Sequence, residues 1–200
     1  MGNSLNVSLD VATVFGSPSA PVAGSANIAS IWKWDAVNRT WAYYSPGLTS
    51  AQIAGFTGNQ GYQVLTTINP GEGYWVNARN TVTLAPQSGT PFSYSSANFA
   101  GLPSSWNLIA TASNQSPHAF TNTVSALPPP NSGVNTADTF VSLWAWSAAD
   151  QVWYYYAPQL DNSGGLPAVK SFANSKGYLH FEDNAKKLDT GTGFWVNKVQ

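Results

Sequence analysis

Cysteine is absent from this chain and charge is scarce. Without thiols there is no disulfide, no thiolate nucleophile and no Cys-ligated zinc or iron–sulfur site. Lys and Arg number 8 and Asp and Glu 9 in 200 residues. That charged fraction of 8% compares with about 25% in ordinary soluble domains. A net charge of -1 gives no basic footprint, which argues against nucleic acid as a partner. No polybasic segment points to an anionic membrane surface. No apolar run approaches the roughly 20 residues that span a bilayer, so membrane insertion is not expected. The start, Met1-Gly2-Asn3-Ser4, has neither a basic n-region nor an apolar h-region, so it does not read as a signal peptide.

What replaces charge is aromatic surface on a polar, uncharged background. Trp, Tyr and Phe each occur 9 times, and Ser, Thr, Asn, Gln and Gly supply the polarity. Such a composition is not that of a disordered chain. It favours an extracellular or cell-surface setting.

The aromatics recur in order, and repeats decide a fold before anything else. Ser30-Ile31-Trp32-Lys33-Trp34 reads again as Ser142-Leu143-Trp144-Ala145-Trp146, an offset of 112 residues. The same offset carries Trp41 to Trp153, Tyr43-Tyr44 to Tyr155-Tyr156, and Pro46 to Pro158. Gly61-Tyr62 then matches Gly177-Tyr178, and Gly71-Glu72-Gly73-Tyr74-Trp75-Val76-Asn77 matches Gly191-Thr192-Gly193-Phe194-Trp195-Val196-Asn197. Near the starts, Leu5-Asn6-Val7 aligns more weakly with Trp106-Asn107-Leu108. Two tandem copies are expected, residues 1–98 and 99–200, divided within the Ser- and Gly-rich stretch Ser93 to Ser105.

Each copy reads mainly as short strands. Ile28 to Trp34 and Val141 to Trp146 alternate in the period of a half-buried strand. Each is followed, after a polar turn, by Trp41 to Tyr44 or Val152 to Tyr156, which makes a hairpin. Gly73 to Val76 and Gly193 to Val196 read as further strands, and Val82 to Leu84 as an extra one in the first copy. Ser50 to Phe56 and Pro167 to Asn174 read as short helices ending before a Gly-Tyr. Ser116-Pro117 has the cap-then-Pro start of a helix over Ala119 to Leu127, stopped by Pro128-Pro129-Pro130. The expected class is mainly β with short helices, each copy a small antiparallel β-sandwich or barrel-like unit.

The order Trp-Asn-Leu-Ile, Trp-x-Trp, Trp-x-x-Tyr-x-Pro, Gly-Tyr and Gly-x-Gly-Phe-Trp-Val-Asn resembles a Trp-rich tandem repeat of the C-terminal regions of bacterial secreted and cell-surface proteins. Trp106 to Asn197 carries the whole pattern, whereas the first copy departs at its start, with Leu5 in the place of Trp106. The resemblance implies an extracellular accessory or attachment module, part of a larger secreted protein. It carries over no catalytic residues.

The duplication tests for chemistry internally. Glu72 is matched by Thr192 and Asp35 by Ser147, so no acid is shared within the motifs. A glycosidase needs two carboxylates across one cleft, and Glu72 with Asp35 is a single-copy pair at best. His118 and His180 show no metal-ligand spacing, and no Gly-x-Ser-x-Gly elbow marks a nucleophile. Asp161-Asn162-Ser163-Gly164-Gly165 and Glu182-Asp183-Asn184 are oxygen-rich but match no calcium loop, and read better as turns. Neither a catalytic role nor a cofactor or metal is expected.

Aromatic pairs are the remaining signal. In a strand Trp32 and Trp34 share one face about 7 Å apart, and Trp144 and Trp146 repeat this. Trp41 shares a face with Tyr43, and Trp153 with Tyr155. Flat rings stack on the C–H faces of sugars, and low charge suits a neutral polysaccharide. Trp34, Trp41, Tyr43, Trp146, Trp153, Tyr154 and Tyr155 are the candidate carbohydrate-binding residues. Tyr154 is included because its partner position holds Ala42, which suggests a solvent-facing ring. Trp75 and Trp195, behind Gly-x-Gly, read as core, while Trp32 and Trp144 fit either role. The expected function is a non-catalytic extracellular module binding a polysaccharide or cell-surface glycan. The alternative is a structural or adhesive repeat of a bacterial surface protein or filament, with its aromatics as core or interface.

Overall fold

A computed structural model describes residues 1–125 and 139–199, the side chains of Asp183 and Asn184 excepted. The Pro128–Pro130 helix stop lies outside the described residues. In chain order the elements are β1 (Leu9–Asp10), α1 (Val11–Phe15), β2 (Ile28–Asp35), β3 (Thr40–Tyr44), α2 (Ser50–Gln60), β4 (Gln63–Val64), β5 (Thr67–Ile68) and β6 (Trp75–Ala78). There follow α3 (Ser96–Ala100), β7 (Ser105–Ala110), α4 (Pro117–Val124), β8 (Phe140–Ser147), β9 (Val152–Tyr156), α5 (Pro158–Ser175), β10 (Leu179–His180) and β11 (Gly193–Lys198). The chain is mainly β, with these strands in three sheets ordered β1-β5, β4-β3-β2-β6 and β10-β9-β8-β11-β7.

Both large sheets are built on a hairpin. Trp32 lies opposite Tyr43 and Trp34 opposite Trp41; Trp144 lies opposite Tyr155 and Trp146 opposite Trp153. The sheets are not purely antiparallel. Edge strands β4 and β10 run parallel to β3 and β9, because α2 and α5 carry the chain back to the same end before each edge strand begins.

Helix α2 starts in a capping box, with the Thr49 side chain accepting from the Gln52 amide, and stops at Gly61, which adopts φ 71°. That left-handed conformation suits glycine. Ser116 caps α4 through the Ala119 amide at 3.2 Å. Helix α5 is longer than the Pro167–Asn174 expectation. It starts at Pro158 and is broken at Gly165 (φ 68°), so Pro167 opens its second half.

Alternation gives each large sheet two unlike faces. The back of the first sheet buries Ile31, Ala42 and Tyr44 against α1, α2 and the β1-β5 ribbon, with Phe15 and Ile68 fully enclosed. The back of the second buries Leu143, Ala145, Tyr154 and Tyr156 with Phe120, Phe140 and Val169. Burying some ten large apolar side chains per core at about 1.5–3 kcal/mol each is the main source of stability.

Two local expectations are corrected. Val82 to Leu84 forms no strand; Val82 and Leu84 instead lie partly buried against the first core. The dividing stretch Ser93–Ser105 contains α3 and buries Phe99 in the second core. Leu5 does not take the place of Trp106. It bridges Pro91, while Gly2 bridges Gly73. The Tyr74 amide donates to the Met1 carbonyl at 2.9 Å, and the Met1 amine donates to the Tyr74 carbonyl at 2.9 Å. Against Gly73 and Tyr74, Gly2 and Met1 therefore sit as Ala110 and Ile109 sit against Gly193 and Phe194.

The two halves interlock at this junction. Strand β7 pairs with β11 along one edge. On its other edge it accepts from the Gly73 amide through Leu108 O (2.9 Å) and donates from Ala110 to Gly71 O (2.8 Å). The Gly2 amide reaches Gly191 O at 2.8 Å. Gly73 is needed for this approach: a Cβ there would meet Leu108 Cγ at 2.8 Å and Ile109 O at 3.0 Å.

Candidate aromatic clefts

The front faces of the two large sheets are turned towards each other, and all nine tryptophans lie on them. Ring contacts cross between the faces, with Trp34–Trp195 at 6.2 Å, Trp41–Trp195 at 5.9 Å and Trp75–Trp153 at 5.9 Å. The Trp34 indole also donates to the Trp106 carbonyl at 3.0 Å. Most of these contacts are edge-to-face, the arrangement favoured by aromatic quadrupoles.

The packing is incomplete and leaves two clefts. One, of about 440 Å³, is lined by Trp34, Trp41, Trp106, Trp144, Trp153, Tyr178 and Trp195. The other, of about 460 Å³, is lined by Trp32, Trp41, Tyr62, Trp75, Trp153 and Trp195. Every lining residue is aromatic. Trp41, Trp153 and Trp195 wall both clefts.

Hydrogen bonding divides the indoles into two groups. Trp32 donates to Ser30 Oγ and Trp144 to Ser142 Oγ, each at 2.9 Å, which fixes their rings in matching orientations. Trp41, Trp75, Trp106, Trp146, Trp153 and Trp195 have no acceptor among the described residues, and no buried indole N–H is left unpaired. Their N–H groups therefore reach solvent. The clefts combine flat apolar walls with neutral donors. The nearby Tyr155 hydroxyl has its pKa pushed up by burial and by Tyr178.

The candidate residues separate clearly. Trp34, Trp41 and Trp153 meet in the clefts. Trp146 lies half-buried beside Trp153 and faces a larger adjoining groove. Tyr43 and Tyr155 share the aromatic faces but are buried, because Phe56 of α2 covers one at 4.5 Å and Phe172 of α5 covers the other at 5.0 Å. Tyr154 is not solvent-facing: it is 4% exposed and packs on Phe181 in the second core. Ala42 is equally buried, so this pair of positions differs in core volume, not in exposure. Trp75 and Trp195 are half-buried cleft walls, not core, because they follow Trp32 and Trp144 across the ladder onto the front faces.

Trp106, Tyr62 and Tyr178 complete the clefts and were not among the candidates. The matched Gly-Tyr motif was the available signal for the two tyrosines.

The polar groups considered for chemistry have structural work. Glu72 Oε2 accepts from the Asn69 amide at 2.6 Å and pairs with Lys33 Nζ at 2.8 Å. Asp35 accepts from Asn38 and Val37 in the hairpin turn. Desolvation alone would raise its pKa, but these bonds, with one from Gln63, outweigh it and hold the value below the usual carboxylate range. Asp161 Oδ2 takes the Tyr156 hydroxyl and His118 Nδ1, both at 2.6 Å. His118 Nε2 faces Asn122, not a hydroxyl nucleophile. No cluster of three potential metal ligands occurs among the described residues, and no described helix is long and apolar enough to cross a membrane. Comparison with protein-family models, curated proteins and solved structures finds no match to this chain.

Proposed function

We propose that this chain is a non-catalytic carbohydrate-binding module made of two tandem copies of one Trp-rich unit, acting outside the cell on a polysaccharide or cell-surface glycan. The observation that carries the reading is the pair of clefts walled only by aromatic rings, with indole donors open to solvent. Sugar rings offer apolar C–H faces for the walls and hydroxyl oxygens for the indole N–H groups. Each sugar face covered by a ring gains about 25 cal/mol for every Å² of apolar surface removed from water. Affinity then comes from several contacts, and two clefts on one chain add avidity on a repetitive polymer.

The test is depletion by insoluble cellulose, chitin, xylan, mannan or starch, with tryptophan emission followed during titration of the matching oligosaccharide. Depletion by one polymer and a saturable emission shift support the reading. Trp106→Ala should then weaken binding at least tenfold while leaving the urea midpoint nearly unchanged, because that ring is 40% exposed. No depletion by any polymer sinks it.

The second reading, a structural or adhesive repeat, is favoured by the ring contacts between the sheets, which already use much of the aromatic surface as an internal interface. It predicts concentration-dependent assembly in sedimentation with no response to sugar.

A further inference from the structure

Both clefts lie between the two large sheets, so their walls come from opposite sides. In the first, Trp34 of β2 and Trp41 of β3 stand across from Trp106 of β7, Trp144 of β8, Trp153 of β9 and Trp195 of β11. In the second, Trp32, Trp41 and Trp75 of the first sheet stand across from Trp153 and Trp195 of the second. The two sides touch through the Trp34–Trp195, Trp41–Trp195 and Trp75–Trp153 ring pairs. A flat sugar ring that enters is therefore covered on both faces. Relative to an open platform, that about doubles the apolar area removed from water.

The walls offer few hydrogen-bonding partners. Among the described residues each cleft has one phenol, Tyr178 in the first and Tyr62 in the second, and otherwise only indoles. No amide, carboxylate or cationic side chain among them lines either cleft. A hydroxyl turned up at an indole face leaves water without gaining a partner, and an unpaired buried polar group is costly. A buried carboxylate costs more. A sugar ring with every substituent equatorial avoids both costs. Its two faces carry only axial C–H, and its hydroxyls leave in the plane of the ring, towards indole N–H groups and solvent. Equatorial bonds at positions 1 and 4 also keep successive rings in one flat ribbon, which suits a slot between two sheets.

We propose that the clefts select a neutral β-1,4-linked glycan of all-equatorial residues, gluco or xylo in configuration, sandwiched between the tryptophans of the two sheets, a specificity that rests on the carbohydrate reading of the same clefts. Mannose, with its axial hydroxyl at C2, presents a polar group to one wall. An α-1,4-linked glucan leaves each ring through an axial bond at C1, which meets a wall and bends the chain out of the slot. Trp106 carries part of the selection, because its ring lines the second-sheet side of the first cleft, across from Trp34 and Trp41.

Isothermal titration of the intact chain compares cellohexaose, xylohexaose and chitohexaose, all equatorial, with mannohexaose and maltohexaose. The tightest of the first three should bind at least about tenfold more tightly than either of the last two, a gap of about 1.4 kcal/mol. Saturation-transfer NMR on that tightest ligand gives the second readout. Irradiating the aromatic protons should mark both sugar faces, H1, H3 and H5 on one and H2 and H4 on the other. Trp106→Ala should weaken the all-equatorial ligand more than mannohexaose and so shrink the gap. A smaller gap in the parent chain, a reversed preference, saturation confined to one sugar face, or an undiminished gap in Trp106→Ala each overturns the sandwich and leaves the carbohydrate reading standing. No binding of any of the five oligosaccharides, with no depletion by any polymer, overturns the carbohydrate reading and the sandwich together.

Discussion

Gly73→Ala tests the interlocking of the two halves with a single methyl group. The new Cβ would stand 2.8 Å from Leu108 Cγ, and 3.0 Å from both Leu108 Cδ1 and the Ile109 carbonyl oxygen. Leu108 cannot easily yield, because it is buried opposite Trp195 in the β7–β11 ladder. Overpacking of this kind costs about 1–3 kcal/mol. Against that, replacing Gly by Ala removes unfolded-state entropy worth about 0.4–1 kcal/mol. The net expectation is a loss of about 1–2 kcal/mol, or a Tm lower by about 2–8 °C for a chain of this size. Gly58→Ala is the paired control. Gly58 lies exposed in α2, and a methyl group added there would meet nothing within 4 Å. At that position helix propensity and entropy both favour Ala, so stability should rise by about 0.5–1 kcal/mol. Urea unfolding followed by circular dichroism measures both variants. The reasoning fails if Gly73→Ala is as stable as the parent chain, or if the substitution costs as much in a Leu108→Ala background as it does alone.

Other outcomes follow from single groups. Tyr154→Ala should cost about 3–5 kcal/mol in urea unfolding, since the ring packs on Phe181 in the second core; a near-neutral result would return it to the surface. The Asp35 pKa is depressed in the folded chain, so its contribution is present above the ordinary value and lost as pH falls through the folded one. Asp35→Asn should therefore flatten the acid limb of a pH–stability curve, and an unchanged limb would refute the assignment. The Met1 amine, desolvated by burial, titrates at about 6 instead of 8.0. The unfolded chain thus binds more protons between those values, and stability should rise from pH 6 to pH 8 by on the order of 2–3 kcal/mol. Acetylating the amine should abolish the slope.

The β-rich class and both hairpins were legible in the sequence because Trp-x-Trp and Trp-x-Tyr at strand period place the rings on one face whatever they meet there. What covers each face was not legible. Tyr43 and Tyr155 look like surface rings until Phe56 and Phe172 close over them from helices later in the chain. Tyr154 looks like an exposed exception because sequence comparison registers its size difference from Ala42 but not the Phe181 ring that fills the space. Trp195 looks like core behind its glycines, and only the facing of the two sheets turns it into a wall shared by both clefts. Local period is encoded in neighbouring residues, whereas burial depends on elements far away in the chain.

The pairing of Gly2 with Gly191 bears on biosynthesis. Gly2 leaves the ribosome long before Gly191 is made, and its hydrogen bond cannot form until then. Synthesis at about 5–20 residues per second makes that delay on the order of ten seconds or more. During it, the first sheet has its helices at its back but its tryptophans bare at the front. Long-range closure of this kind slows folding and lengthens the exposure of sticky surface. The nascent chain should therefore depend on chaperone cover in the interval, and pulse-labelling of ribosome-stalled intermediates would find the front of the first sheet reactive until β11 has emerged.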